Sequence, residues 1–197
     1  MGETQSVASG IVEALRRAGA DTAFGVSGGA SLHLIRAYAE TPGCSFFAVN
    51  HEQTAAMAAD AFTRVHGRPG VAIGTSGPGA TNLITGLAGC YFDSIPTIFL
   101  TGQVSTTRMV GETGVRQIGF QETPIAEMVR TITKFAVTIT DPNAARRIVE
   151  EAIWQSRNGR PGPVVIDIPD DVQREHIAWN DLAGFEQPPD LSTTSLD

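Results

Sequence analysis

The chain has 197 residues, enough for one domain with a full hydrophobic core. Its 14 basic and 21 acidic side chains give a formal net charge of −7, which argues against a nucleic-acid-binding surface. No apolar segment approaches the roughly 20 residues that a membrane-spanning helix needs, and residues 1–8 lack the pattern of a signal peptide. We therefore expect a cytoplasmic protein with no membrane contact.

Helices and strands are predicted to alternate from the start of the chain. Val7, Ile11 and Leu15 recur at helical spacing, with Ser6 as the predicted N-cap and Gly19 as the stop. Four more helices are predicted over residues 31–40, 51–66, 80–90 and 142–157. Short apolar runs predict strands over residues 22–26, 45–49, 71–74, 96–100, 134–139 and 163–168.

The order of these elements predicts the α/β fold class, with a doubly wound, mostly parallel six-stranded sheet and helices on both faces. We assign residues 1–183 to this single domain. Residues 184–197 are polar and contain proline, which indicates a C-terminal tail or a linker remnant. Residues 102–121 are long, polar and without periodicity, as is typical of a functional loop.

In an open α/β sheet, ligands bind beyond the carboxyl ends of the strands. Four segments are predicted to lie at that edge and to converge on one cleft: residues 27–30, 50–53, 75–82 and the loop through 120–121.

The glycine-rich stretch 74–79 lies between a predicted strand and a predicted helix. Its spacing, G-x-x-G-x-G, differs from the dinucleotide-binding fingerprint G-x-G-x-x-G, and there is no P-loop lysine. A phosphate could still bind the free amides at the start of the helix. The alternative is a sharp turn that needs glycine for steric reasons.

Glu52 has two interpretations. As a structural residue it would favour the dipole of a helix capped by Asn50, with Gln53 completing a capping box. As a proton-transferring acid it would have to be buried in an apolar pocket, because a helix N-terminus favours the charged form. The local pattern leaves both interpretations open, and His51 is expected to be a polar surface residue.

Several motifs occur together and in a fixed order along the chain. They comprise residues 24–25, 28–30, 51–62 (HEQTAAMAADAF), 67–70 (GRPG), 75–82 (TSGPGATN), 101–104, 119–123, 132–134, 160–164 and 168–169. Together they cover nearly the whole chain and resemble the pyrimidine-binding domain of thiamine diphosphate (ThDP) enzymes. Among these enzymes the greatest similarity is to acetohydroxyacid (acetolactate) synthase.

The resemblance implies roles for individual residues. Glu52 matches the acid that hydrogen-bonds N1′ of the aminopyrimidine and activates the cofactor, and it is expected to be catalytic together with Gln121. The other residues expected to contact the cofactor are Gly28, Gly29, Pro78 and Asn82. The residues expected to contact the substrate are Ala30, Phe120 and Gln121. From the residues alone, a core Phe and a surface Gln would fit positions 120 and 121 equally well.

ThDP enzymes also have a pyrophosphate-binding part, which holds Mg²⁺ through a Gly-Asp-Gly segment followed by Asn. This chain contains no Gly-Asp-Gly, and Asp167, Asp170 and Asp171 match the end of the family's domain instead. We therefore expect no metal ligand in this chain, with Mg²⁺ held by a separate pyrophosphate-binding subunit in an α2β2 heterotetramer. FAD is not expected on this chain. The small residues of 54–61 would allow close packing at such an interface, although an ordinary buried helix would look the same.

The resemblance implies a ThDP-dependent carboligase, which decarboxylates a 2-oxo acid and then forms a carbon–carbon bond. Two departures leave the substrates open: Val26-Ser27 replaces the family's usual Tyr-Pro, and the loop 105–118 differs in length and sequence. The alternatives are a 2-oxo acid decarboxylase subunit and a non-catalytic scaffolding or regulatory homologue. The glycine spacing disfavours an NAD-binding dehydrogenase domain.

Overall fold

The computed structural model describes residues 4–188. In chain order the strands are β1 (Gln5–Ser6), β2 (Thr22–Gly25), β3 (Ser45–Ala48), β4 (Val71–Gly74), β5 (Ile98–Gln103), β6 (Phe135–Thr138), β7 (Val164–Pro169) and β8 (His176–Ile177). The α-helices are α1 (Val7–Arg17), α2 (Leu32–Glu40), α3 (Glu52–His66), α4 (Pro78–Asn82), α5 (Ile84–Phe92), α6 (Ile125–Met128), α7 (Ala145–Arg157) and α8 (Asp170–Arg174).

The first helix forms as its sequence predicts. The Ser6 hydroxyl accepts a hydrogen bond from the Ser9 amide at 3.1 Å, which satisfies one of the free donors at the helix start. Gly19 follows the helix with φ of +83°, a conformation that glycine adopts without steric cost. Ile11 and Leu15, on the same face of the helix, are fully buried.

Six strands form one sheet in the order β3-β2-β4-β5-β7-β6, and every neighbouring pair is parallel. The chain runs outward from β2 to β3 and then returns to place β4 on the other side of β2. The topological switch point therefore lies between β2 and β4, where a ligand crevice is expected in such sheets.

Alternate residues of the central strands face opposite layers of helices. Val71 and Ile73 belong to the core under α1, α2 and α7, whereas Ala72 belongs to the core under α3, α4, α5 and α6. Residues of β5 and β7 divide between the two cores in the same way. The predicted doubly wound α/β sheet is thereby confirmed, and it is parallel throughout.

Three details differ from the sequence predictions. The helix predicted over 80–90 begins earlier, at Pro78, is interrupted at Leu83 and ends at Phe92. Strand β5 continues to Gln103, because its last two residues pair with Ile168 and Pro169 of β7. The long loop therefore starts after residue 103 and not at residue 102. The short antiparallel pair β1–β8 was not predicted, since two residues are too few to show a period.

The small residues of α3 pack closely within the domain. Ala55, Ala56 and Ala59 are fully buried, and a Cβ on Gly86 of α5 would overlap the Cβ of Ala56. The proposed use of this helix at a subunit interface stays a prediction. The two cysteines are free thiols, with Cys90 buried and Cys44 partly buried.

The predicted tail begins with residues that contact α7. The Phe185 amide donates to the Glu150 carboxylate at 2.7 Å, and the Phe185 ring lies 5.6 Å from that of Trp154. Residues 189–197 lie outside the described residues, so the boundary at 183 stays a prediction. Within residues 4–188, no helix combines the length and the apolar character that crossing a membrane requires.

Candidate functional site

The loops that follow β2 and β4 meet at the switch point of the sheet. The Thr75 hydroxyl accepts a hydrogen bond from the Ala30 amide at 3.2 Å. A Cβ on Gly28 would clash with the side chain of Thr75, so this close approach requires glycine. Gly29 has nothing within 4 Å of the position that a Cβ would take, which leaves open space beside its backbone.

The carbonyl of Ala30 is held from the opposite side. Gln173, which is fully buried, donates its amide to the Ala30 oxygen at 2.6 Å and to the Ile168 oxygen at 2.7 Å. A Cβ on Gly102 would overlap the same Ala30 oxygen. The turn through Gly28 and Ala30 is therefore fixed by β5 and α8 as well as by Thr75.

Glu52 is the first residue of α3, and it is only 8% exposed. The N-cap is His51, whose Nδ1 accepts a hydrogen bond from the Gln53 amide at 3.1 Å. The predicted cap at Asn50 is wrong, and no hydrogen bond among the described residues makes the capping box expected of Gln53. His51 has extended backbone angles, φ −155° and ψ 138°, so its ring reaches the free amide while Asn50 lies one residue outside the helix.

The Glu52 carboxylate has one oxygen engaged and one available. Oε2 accepts a hydrogen bond from the Asn82 amide at 3.0 Å. Oε1 lies 3.2 Å from the position that a Cβ on Gly79 would take, and it accepts no hydrogen bond from residues 4–188. A buried carboxylate with a free acceptor oxygen can take a hydrogen bond from a protonated ring nitrogen, which is the chemistry that the aminopyrimidine of a thiamine cofactor requires.

The long loop brings Gln121 against the glycine-rich turn. A Cβ on Gly77 would lie 2.7 Å from the Cβ of Gln121, and Gly77 itself has φ of +63°. Gln121 also has a positive φ, 62°, which costs a non-glycine residue roughly 1–2 kcal/mol. Such conformations persist where the surrounding structure imposes them, and they cluster at active sites and ligand clamps. Phe120 beside it is 84% exposed, so the core interpretation of this ring is wrong.

A buried carboxylate anchors the end of this loop. Gln103 donates its amide both to the Thr123 oxygen at 2.7 Å and to Asp167 at 3.1 Å. Asp167 also accepts from the hydroxyls of Thr101 at 2.6 Å and Thr138 at 3.1 Å. Burial raises the pKa of Asp167 to about 6, and the three hydrogen bonds oppose that shift.

The neighbouring acids anchor the start of the loop. Asp170 accepts a hydrogen bond from the Ser105 hydroxyl, and Asp171 accepts from the Thr106 amide at 3.0 Å and hydroxyl at 2.6 Å. In the part of the chain that the structure describes, no group of three or more His, Cys, Asp or Glu side chains is arranged to hold a metal ion.

The turn 75–79 contacts all three of the other predicted segments. Thr75 contacts Ala30 of the first segment. Gly79 lies beside Glu52, and Gly77 lies beside Gln121. Pro78 begins α4, where its missing N–H is tolerated. The predicted residues that this turn brings together are Gly28, Ala30, Glu52, Asn82 and Gln121.

Sequence reasoning missed the residues that hold these segments in place. The sequence does give a signal for Thr75, because this residue directly follows the predicted strand 71–74 and lies in the glycine-rich stretch 74–79. Gln173 gave no signal, since its partner Ala30 lies 143 residues away in the chain.

Comparison with known proteins gives the family. The sequence pattern described as "Thiamine pyrophosphate enzyme, N-terminal TPP binding domain" matches residues 5–128. The acetolactate synthase 3, chloroplastic, of Brassica napus is 41% identical over 191 residues, which are 92% of this chain and 28% of that protein. The acetolactate synthase, chloroplastic, of Arabidopsis thaliana is 44% identical over 165 residues, 84% of this chain and 24% of that protein.

A third relative, acetolactate synthase 2, chloroplastic, of Zea mays, is 45% identical over 172 residues, covering 86% of this chain and 26% of that protein. The chain thus spans about a quarter of the length of the curated relatives it matches. The matched pattern covers most of the chain and includes the strands and turns around Glu52. The chain belongs to the thiamine pyrophosphate enzymes, of which it contains the N-terminal TPP-binding domain.

Proposed function

We propose that this domain belongs to an acetolactate synthase-like carboligase acting on 2-oxo acids, and that Glu52 is its cofactor-activating acid. The observation that carries this proposal is the buried Glu52 carboxylate at the switch point, with Oε2 held by Asn82 and Oε1 free of protein donors among residues 4–188. The similarity to acetolactate synthases from three plants supports the reaction class.

Each residue has a defined task in this proposal. Glu52 shares a proton with N1′ of the aminopyrimidine, and Asn82 keeps the carboxylate oriented. The open space beside Gly29 lets the ring approach the backbone closely, and Gly28, which is packed against Thr75, supplies the backbone next to it. When bound, thiamine diphosphate supplies the carbon nucleophile for the substrate carbonyl and an acceptor for the electrons released with CO₂.

On the substrate side, the exposed Phe120 ring provides an apolar wall, with Gln121 as a polar contact and Ala30 as a further contact. The fixed backbone of Gln121, which lies against Gly77, supports a positioning task of this kind.

We further propose that a pyrophosphate-binding domain completes the site and holds Mg²⁺, because this sequence contains no Gly-Asp-Gly. We place that domain on a separate subunit, with two copies of each chain in an α2β2 assembly and no FAD on this chain. Copurification with a candidate partner, followed by mass measurement of the intact assembly, tests this arrangement. Tight ThDP binding by the chain alone would contradict it. The cytoplasmic location stays a prediction, and the names of the three relatives describe those proteins as chloroplastic.

The decisive experiment compares Glu52→Gln with the unaltered protein in the reconstituted assembly, with pyruvate as substrate. Removing the acid should lower the rate of CO₂ release by about 100-fold or more. Glu186→Gln is the matched control, because Glu186 is exposed and makes no side-chain hydrogen bond among residues 4–188. This control should retain full activity.

The products separate the remaining alternatives. Acetolactate identifies a carboligase, whereas acetaldehyde alone identifies a decarboxylase. Unchanged turnover in the Glu52→Gln assembly would show that the activity resides elsewhere, and this chain would then be a non-catalytic scaffolding or regulatory homologue.

A further inference from the structure

A cavity separate from the Glu52 site lies between β1, the start of α1, α2 and the end of α8 with the residues that follow it. Its volume is about 380 Å³, within the range of small-molecule sites in proteins. Its charged side chains are His33, Arg36, Glu40, Arg174 and His176, and the uncharged polar ones are Gln5, Ser6 and Ser9. None of them belongs to the group around Glu52.

Basic side chains outnumber acidic ones in the lining of this cavity, although the chain as a whole carries a net negative charge. The protein carries a formal charge of −7, yet two arginines and two histidines line the cavity beside a single carboxylate. That carboxylate is already paired, since Arg36 donates to Glu40 at 2.8 Å. Arg174 forms no ion pair within residues 4–188, so its guanidinium donors are available to a ligand.

The lining groups are hydrogen-bond donors held by backbone and helix contacts. His176 donates its Nδ1–H to the Arg174 carbonyl at 3.1 Å, so its Nε2 can donate to an anion only when the ring is in the imidazolium form. The Ser9 hydroxyl lies 2.8 Å from that of Ser6 at the first turn of α1. The residue before Arg174 is the buried Gln173, which fixes α8 to the Ala30 carbonyl.

We propose that this cavity binds the phosphate group of a small phosphorylated molecule. Arginine matches phosphate because its planar fork donates two parallel hydrogen bonds, and imidazole and hydroxyl donors can satisfy the remaining oxygens. The volume exceeds what the anion alone would fill, which favours a phosphate monoester over free inorganic phosphate. The proposal does not depend on the carboligase assignment, and it is tested on this chain without any partner.

The experiment titrates the full 197-residue chain with inorganic phosphate and, separately, with glycerol 3-phosphate. Calorimetry measures the affinity, and backbone amide shifts in NMR spectra locate the site. We expect saturable binding of glycerol 3-phosphate, with shifts at Ser9, His33 and His176. Binding of inorganic phosphate at the same residues, with equal or greater affinity, would assign the site to the free ion and overturn the monoester preference.

Two variants test the chemistry, and a third controls for charge. Arg174→Gln removes the positive charge and the guanidinium fork, and His33→Leu removes the imidazole donor; Arg174→Gln should weaken glycerol 3-phosphate binding by about tenfold or more. Arg147→Gln removes the same charge from the surface of α7, where Arg147 pairs with Glu151, and should leave the affinity unchanged. Thermal unfolding of each variant verifies that the fold is intact.

Three results would overturn the proposal: no saturable binding of either compound, amide shifts that map elsewhere, or an equal loss of affinity in Arg147→Gln. Each of these outcomes leaves the proposed role of Glu52 untouched, because that role is measured by turnover of the reconstituted assembly.

Discussion

Replacing Asp167 by Asn should make the stability of this domain respond differently to pH. Asp167 is 1% exposed and accepts hydrogen bonds from Thr101, Gln103 and Thr138. The substitution keeps the size of the side chain but removes the group that titrates. With its Oδ1 kept toward Gln103 and Thr138, the Asn side chain turns its amide nitrogen to the Thr101 hydroxyl, which must then accept instead of donate; this rearrangement should cost about 1–3 kcal/mol.

The magnitude follows from the pKa of Asp167, which burial raises from 3.8 to about 6 in the folded protein. Between these two values the folded state holds a proton that the unfolded state has released, so the free energy of unfolding falls as the pH rises. A shift of about two units corresponds to about 3 kcal/mol. The contribution of Asp167 is therefore fully present below pH 4 and lost once the pH has passed about 6.

Urea unfolding, followed by tryptophan fluorescence at a series of pH values from 4 to 8, measures the effect. Other carboxyl groups titrate in both proteins and cancel when the variant is subtracted from the unaltered chain. The difference in unfolding free energy should fall by about 3 kcal/mol between pH 4 and pH 7. A difference that stays constant over this range, or rises, would refute the reasoning.

Two further pairs of substitutions test the packing and the hydrogen bonding of the domain core. Gly86→Ala should destabilise the domain by about 1–3 kcal/mol, because the added Cβ would overlap Ala56. Gly89→Ala in the same helix has nothing within 4 Å and should stabilise by about 0.5–1 kcal/mol; equal effects at both positions would contradict the packing argument. Thr63→Val should cost about 1–3 kcal/mol in urea unfolding, because it leaves the buried Gly70 amide without its acceptor, and Thr63→Ser should recover most of the loss.

The sheet was predictable because its central strands carry their own signal. Residues 71–73 of β4 and 164–166 of β7 form continuous apolar runs, and both faces of these strands are covered by helices. Predictions failed where a single residue decides between local alternatives. Asn50 and His51 can both cap a helix, and only the backbone angles at His51 settle which of them does so.

Candidate site residues could be collected from the sequence because the ends of parallel strands share one edge of a sheet. Their mutual arrangement could not be predicted. The hydrogen bond between Thr75 and Ala30 depends on β4 lying beside β2 rather than beside β3, its neighbour in sequence order. The backbone of Gln121 depends on Gly77 in a different loop.

The sequence by itself determined the alternation of strands and helices, the buried runs of the core and the motif that contains Glu52. These features depend on periodicity and on neighbouring residues, which a linear pattern records. Only the tertiary structure decided that Asn82 holds the Glu52 carboxylate, that Gln173 holds the Ala30 carbonyl, and that Asp167 anchors the long loop. These contacts join residues that are 30, 143 and 64 positions apart in the chain. They can form only after the strand order of the sheet has brought the segments together.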